Sequence, residues 1–171
     1  INRDNPRNFE YQFGLNFTPY YEKYFGPLRH KSLKILEIGV ANGHSVASWF
    51  CYFPNSEIYA VDIKKNHKFL YKSKRINYHS VNCMDDEDVR KFITKNNHFD
   101  IIIDDSLHSQ AAHTNNIKNF YPALNFGGIY VLEDFNTDDP DKTPRRICEH
   151  GHFICKGCIK PFIESYFTDR V

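Results

Sequence analysis

The segment Lys34-Ile35-Leu36-Glu37-Ile38-Gly39-Val40-Ala41-Asn42-Gly43 constrains the fold more than any other part of the chain, because an apolar strand runs directly into a glycine-bearing turn. Glycines at Gly39 and Gly43 let the backbone reverse sharply and approach a ligand, and Ser45-Val46-Ala47-Ser48-Trp49-Phe50 reads as the start of a helix. A second apolar strand, Glu57-Ile58-Tyr59-Ala60-Val61-Asp62, ends in an acid about 20 residues after the turn, where open α/β sheets hold a ribose. Strand, turn, helix and acid together predict a nucleotide-like pocket.

The turn reads Glu-x-Gly-x-x-x-Gly and lacks the third glycine that brings a helix terminus onto a pyrophosphate. This departure tilts the expected cofactor from a nicotinamide dinucleotide toward S-adenosylmethionine. Further along, apolar strands near 34–38, 57–62, 76–81, 99–104 and 128–133 alternate with helices near 45–53, 86–96 and 110–124. That order predicts an α/β fold: a Rossmann-like, doubly wound, mostly parallel sheet with helices on both faces. Asp86 is placed to cap the second of these helices. In the next helix Ile117, Phe120, Tyr121 and Leu124 share one face. Pro122 is expected to kink its last turn and Gly127-Gly128 to end it. His113 is expected on the helix surface, and 136–144 is polar, acidic and turn-rich, hence a loop.

With 171 residues and 41% hydrophobic content, the chain can bury one core and is expected to form a single domain. A net charge of +1 gives no case for nucleic acid or an anionic membrane as the main partner. No apolar run approaches the roughly 20 residues of a membrane span, and no basic-then-apolar leader precedes the first strand, so a cytoplasmic protein without a membrane partner is expected. Five cysteines, an odd number in a chain of this size, point to reduced thiols or a metal rather than bridges. The chain opens on Ile1 and reads as a segment of something longer.

Ligands of open parallel sheets sit outside the carboxyl ends of the strands, and here those ends are acidic: Glu37, Asp62, Asp104-Asp105 and Glu133-Asp134, with Asp85 after the third strand. Asp105, Glu133 and Asp134 come from neighbouring strand ends, and their mutual repulsion would be relieved by a hard cation such as Mg2+. The other reading is that one acid caps a helix or binds cofactor while the rest are solvated. His108, three residues after Asp105, faces the same crevice and is a candidate general base for a hydroxyl acidified by a cation; the alternative is a histidine that only fixes its loop.

The joint pattern Thr18-Pro19-Tyr20-Tyr21, Ile35-Leu36-Glu37-Ile38-Gly39-Val40, Ile58-Tyr59-Ala60-Val61-Asp62-Ile63, Ile101-Ile102-Ile103-Asp104-Asp105-Ser106-Leu107-His108 and Gly127-Gly128-Ile129-Tyr130-Val131-Leu132-Glu133-Asp134 resembles the class I, magnesium-dependent sugar O-methyltransferases of macrolide and tetracenomycin tailoring, together with the cephalosporin hydroxylase group. It covers residues 17–134. The resemblance implies that Asp105, Glu133 and Asp134 hold Mg2+ and that His108 is the base. It also implies that Gly39, Asp62 and Asp85 contact S-adenosylmethionine, with Glu37 supporting the loop; the turn itself adds Gly43 to the expected cofactor site. On this basis the chain divides into an N-terminal aromatic helical segment (1–30), a cofactor-binding core (31–135), and a loop with a C-terminal helix (136–171).

Three departures stand out. Gly43-His44-Ser45 replaces the family's Gly-Gly-Ser, Asp104-Asp105-Ser106-Leu107-His108 replaces its Asp-Asp-Gly-Ser-His, and the C-terminal strands of the sheet are incomplete. The tail Cys148-Glu149-His150-Gly151-His152-Phe153-Ile154-Cys155-Lys156-Gly157-Cys158 has zinc-ligand composition and looks like the centre of a RING finger without its flanking cysteine pairs. A single site from Cys148, His152, Cys155 and Cys158 stands against ordinary reduced cysteines.

The leading expectation is therefore an S-adenosylmethionine- and Mg2+-dependent O-methyltransferase acting on a hydroxyl of a sugar or other small molecule. The alternative is a catalytically inactive methyltransferase-like module for interaction within a larger protein; a nicotinamide-dependent oxidoreductase is disfavoured by the incomplete glycine fingerprint. The aromatic stretch 17–25 is expected to pack on the core, with covering the site or forming a homo-oligomer contact as alternatives; Tyr20 and Tyr21 are secondary site candidates.

Overall fold

The computed structural model describes residues 18–64 and 73–133. Asp134, the loop at 136–144, the cysteine–histidine tail and the C-terminal helix lie outside these residues. Five strands, β1 (Lys34–Ile38), β2 (Glu57–Asp62), β3 (Ile76–Ser80), β4 (Phe99–Asp104) and β5 (Leu124–Leu132), form one sheet in the order β3-β2-β1-β4-β5. Every pairing is parallel. The helices are α1 (Thr18–Phe25), α2 (His44–Tyr52), α3 (Asp86–Lys95) and α4 (Gln110–Phe120). None of the described helices is long and apolar enough to cross a membrane.

A parallel sheet covered on both faces needs apolar residues of both parities, which is why Ile101, Ile102 and Ile103 run consecutively and are all fully buried. Ile35, Ile58, Ile101, Ile103 and Val131 pack with Phe25 of α1 and Val46 and Trp49 of α2. Leu36, Ile38, Ile102 and Leu132 pack instead with Val89 and Phe92 of α3 and Ile117 and Phe120 of α4. The doubly wound arrangement is thus the one expected, with α1 and α2 on one face and α3 and α4 on the other.

The aromatic stretch does pack on the core. The Tyr21 ring lies 4.8 Å from Trp49 and 5.2 Å from Phe25, and Phe25 is 5.7 Å from Phe53. At the far end of α2, the Arg75 guanidinium donates to the carbonyls of Phe50, Phe53 and Ser56 and lies 3.9 Å over the Phe50 ring. A fork-shaped cation at a helix C-terminus satisfies carbonyls that the helix itself cannot.

Several local expectations are corrected. The helix expected over 110–124 stops at Phe120, and Pro122 sits in a short 3-10 turn, Tyr121–Ala123, because a proline cannot donate to the preceding turn. Gly127 and Gly128 do not end that helix; they lie inside β5, which begins at Leu124 and is irregular against β4 between Phe99 and Ile101. Gly128 has a packing reason, since a Cβ there would come within 2.9 Å of Asp100 O and Asn125 O. Tyr121 is 39% exposed and leaves the buried face that Ile117 and Phe120 keep. His113, expected on the surface, is fully buried.

Candidate active site

The strand order reverses between β1 and β4, and the carboxyl ends of β1 to β4 enclose a cleft of about 380 Å³. Its walls come from Gly39 and Ala41 after β1, from Asp62, Ile63 and Lys64 at the end of β2, from Asn82, Cys83 and Met84 after β3, and from Asp105, Ser106 and Leu107 after β4. A crevice at the switch point of a parallel sheet, of this size and mostly apolar, is the usual place for a small cofactor.

Gly39 has φ +83°, and its N–H donates to Val61 O at 2.9 Å. A Cβ on Gly39 would stand 2.3 Å from Asp105 O and 2.6 Å from Ser106 Cα. The need for glycine here is therefore set by the loop leaving β4, which crosses directly over it. Gly43, φ +77°, closes the turn by donating to Val40 O at 2.6 Å and occupies the N-cap of α2. Asp62 is held by the same turn: Ala41 N–H donates to Oδ2 at 2.9 Å and Lys64 N–H to Oδ1 at 3.1 Å. An ionised carboxylate accepts about four hydrogen bonds, so this grip orients Asp62 toward the cleft without exhausting it.

Three expected cofactor residues, Glu37, Gly43 and Asp85, are not among those that line the cleft. Glu37 is fully buried within β1, level with Ala60 and Ile103, and does not line the cleft. Asp85 is the N-cap of α3, its Oδ1 accepting from Glu87 N at 2.9 Å and Asp88 N at 3.3 Å. The expected cap, Asp86, is the first helical residue instead and receives Lys118 Nζ at 3.0 Å and Asn119 Nδ2 at 2.7 Å. Two adjacent acids made the capping register ambiguous by one residue. The β3 loop meets the cleft through Asn82, Cys83 and Met84, which sequence reasoning passed over although they follow a strand end. Burial pushes the Cys83 thiol pKa up, so this cleft thiol is held in its unreactive form.

Asp104 and Leu132 are aligned across β4 and β5, and Glu133 N–H donates to Asp104 O at 2.9 Å. The next residues, Asp105 and Glu133, therefore stand at adjacent strand ends, roughly 4.8 Å apart in the pairing direction. Both are withdrawn from water: the Asp105 side chain is 13% exposed and Glu133 is 2% exposed. Tyr21 of α1 donates its hydroxyl to Glu133 Oε1. His108 Nε2 is 3.3 Å from Asp105 Oδ1, on a ring that is 45% exposed. Two sheltered carboxylates side by side have the donor chemistry of a hard divalent cation. Among the described residues no group of three His, Cys, Asp or Glu is disposed to hold a metal ion, and the third expected ligand, Asp134, lies outside them.

Behind this pair, Asp104 is fully buried. Asn116 Nδ2 donates to its Oδ1 at 3.0 Å and Oδ2 at 3.1 Å, Tyr130 Oη donates to Oδ2 at 3.3 Å, and Ser106 N donates to Oδ1 at 3.3 Å. Burial outweighs these donors and raises the Asp104 pKa to about 6. Asp104 thus braces the β4 loop from below while its neighbour Asp105 faces the site.

The family described as "Methyltransferase domain" matches residues 36–135. The 8-demethyl-8-(2-methoxy-alpha-L-rhamnosyl)-tetracenomycin-C 3'-O-methyltransferase of Streptomyces olivaceus is 33% identical over 130 residues, covering 71% of this chain and 32% of that protein. Mycinamicin VI 2''-O-methyltransferase of Micromonospora griseorubida is 33% identical over 141 residues, covering 77% of this chain and 35% of that protein. Among solved structures, MycE methyltransferase from the mycinamycin biosynthetic pathway, in complex with Mg and SAH, is similar with a TM-score of 0.70 and 27% identity, covering 91% of this chain and 42% of that one. The chain spans about a third of the length of these curated relatives.

Proposed function

The chain belongs to the methyltransferase domain family, and from that premise we propose that it transfers the methyl group of S-adenosylmethionine to a hydroxyl of a sugar or other small molecule, with Mg2+ as the second cofactor. The observation that carries this reading is the position of the β4 loop: Asp105 lines the cleft and also stands beside Glu133 at the end of β5. One short loop therefore joins a nucleoside-sized crevice to a pair of sheltered carboxylates. The relatives named above support it, one being called a rhamnosyl-tetracenomycin O-methyltransferase and another solved with Mg and SAH.

When bound, S-adenosylmethionine supplies the methyl group and Mg2+ the positive charge that acidifies the acceptor hydroxyl. Asp62, oriented by the Ala41 and Lys64 amides, accepts ribose hydroxyls, and the Gly39–Ala41 turn admits the cofactor's chain. Asp105 and Glu133 would hold the cation, together with Asp134 outside the described residues. Asp105 also steadies His108 through Nε2, and in that tautomer the imidazole takes the acceptor's proton at Nδ1. Holding acceptor and donor in line accounts for most of the acceleration such a site can offer, because a two-body encounter becomes an intramolecular one.

The test is transfer of labelled methyl from S-adenosylmethionine to a panel of glycosides and small alcohols, comparing the wild type with His108→Ala. General-base loss predicts a fall of about 10²- to 10⁴-fold in rate with cofactor affinity retained. Unchanged turnover by His108→Ala would remove His108 from the mechanism. A folded protein that binds no cofactor would instead favour the inactive interaction module.

A further inference from the structure

Helix α1 reaches the site through a polar contact of Tyr21. Tyr21 lies 112 residues before Glu133 in sequence, yet its hydroxyl donates to Glu133 Oε1. The ring that carries this hydroxyl is fixed independently of it: Trp49 meets it edge-on at 4.8 Å, Phe25 lies against it at 5.2 Å, and Phe25 is itself fully buried. A phenol has only two side-chain torsions, so a ring wedged in this way presents its hydroxyl at one place. Glu133 is 2% exposed at the very end of β5, where its backbone is tied by Glu133 N–H to Asp104 O. The hydroxyl thus bears on one oxygen of a buried carboxylate, and Asp105 of the β4 loop lines the neighbouring cleft.

We propose that Tyr21 is a positioning residue for the divalent-cation site: its hydroxyl, anchored by the Trp49–Phe25 aromatic wedge, fixes the Glu133 carboxylate in the orientation that pairs it with Asp105. This rests on the reading of Asp105 and Glu133 as cation ligands. Donors to a ligating carboxylate orient it and remove the conformational cost of ordering it at the moment of binding, and their loss typically weakens metal affinity 10- to 100-fold. The aromatic stretch thereby both packs on the core and serves the site.

Mn2+ binding to the whole chain, followed by loss of the free-ion electron paramagnetic signal, tests this without reference to turnover. Tyr21→Phe keeps the ring contacts and deletes the hydroxyl. It is expected to weaken Mn2+ about tenfold and to lower the melting temperature by a few degrees, while leaving the affinity for S-adenosylhomocysteine unchanged. Val89→Ala cuts the core on the opposite face of the sheet, away from Tyr21, and serves as the control; it should lower the melting temperature while leaving Mn2+ affinity unchanged. Wild-type affinity in Tyr21→Phe, with Mn2+ binding lost in Glu133→Gln, overturns the positioning role and leaves the cation site standing. An equal loss of affinity in Val89→Ala also overturns it, because lost stability alone would then explain the effect. If Glu133→Gln binds Mn2+ as the wild type does, the cation site and the role of Tyr21 fall together.

Discussion

Replacing Asp104 by Asn should change the pH dependence of stability by a predictable amount. The carboxyl is fully buried, and its pKa is raised from the ordinary 3.8 to about 6, first by burial, against the donors Ser106, Asn116 and Tyr130. A folded pKa above the unfolded one means that the folded state holds this proton more tightly. The stability it contributes is complete below about pH 4 and is lost as pH rises through 6. A shift of about 2 units at 1.36 kcal/mol each corresponds to roughly 3 kcal/mol. Asparagine has the same shape and no charge to bury. Denaturant titrations at pH 4, 5, 6 and 7 should therefore show Asp104→Asn gaining about 3 kcal/mol on the wild type between pH 4 and 7. In thermal melts this is roughly 6–12 °C at neutral pH for a chain of this size. Two pH profiles that run parallel would refute the argument, since they would mean that Asp104 titrates alike in both states.

Other positions give sharper local tests. Gly39→Ala places a Cβ 2.3 Å from Asp105 O at a φ of +83°, so it should cost at least about 2 kcal/mol in a melt and abolish cofactor binding by displacing the β4 loop. Asp85→Ala removes the N-cap of α3 and should cost about 1 kcal/mol while leaving affinity for S-adenosylhomocysteine within twofold. A large loss of cofactor affinity in a well-folded Asp85→Ala would return that residue to the cofactor site.

The parallel sheet was legible because a strand buried on both faces must be apolar at every position, and Ile101-Ile102-Ile103 and Ile35-Leu36 state that openly. The glycine turn and the acid of β2 were legible for a similar reason: they are local, and their spacing follows from the length of one β-α-β unit. What escaped depends on distant partners. His113 sits on a helix whose face is chosen by the sheet beneath it, so a polar side chain was buried where local polarity argued for water. The pair Gly127-Gly128 carries the signature of a helix end, but the bulge it forms answers to Asp100 on the neighbouring strand. Tyr21 and Glu133 meet across 112 residues, and no periodicity within either segment announces that contact. At Asp85 and Asp86 the physics was right and the register was off by one, as adjacent identical acids allow.

On the proposed reading, the β4 loop joins a cofactor cleft to a carboxylate pair. Isothermal titration of S-adenosylmethionine into the protein, with and without Mg2+, tests it most directly alongside an Asp105→Asn, Glu133→Gln double variant. Cofactor binding on the order of micromolar is expected, with a separate Mg2+ signal that the double variant loses. A folded protein that takes up no cofactor, or a Mg2+ signal indifferent to both substitutions, would contradict it.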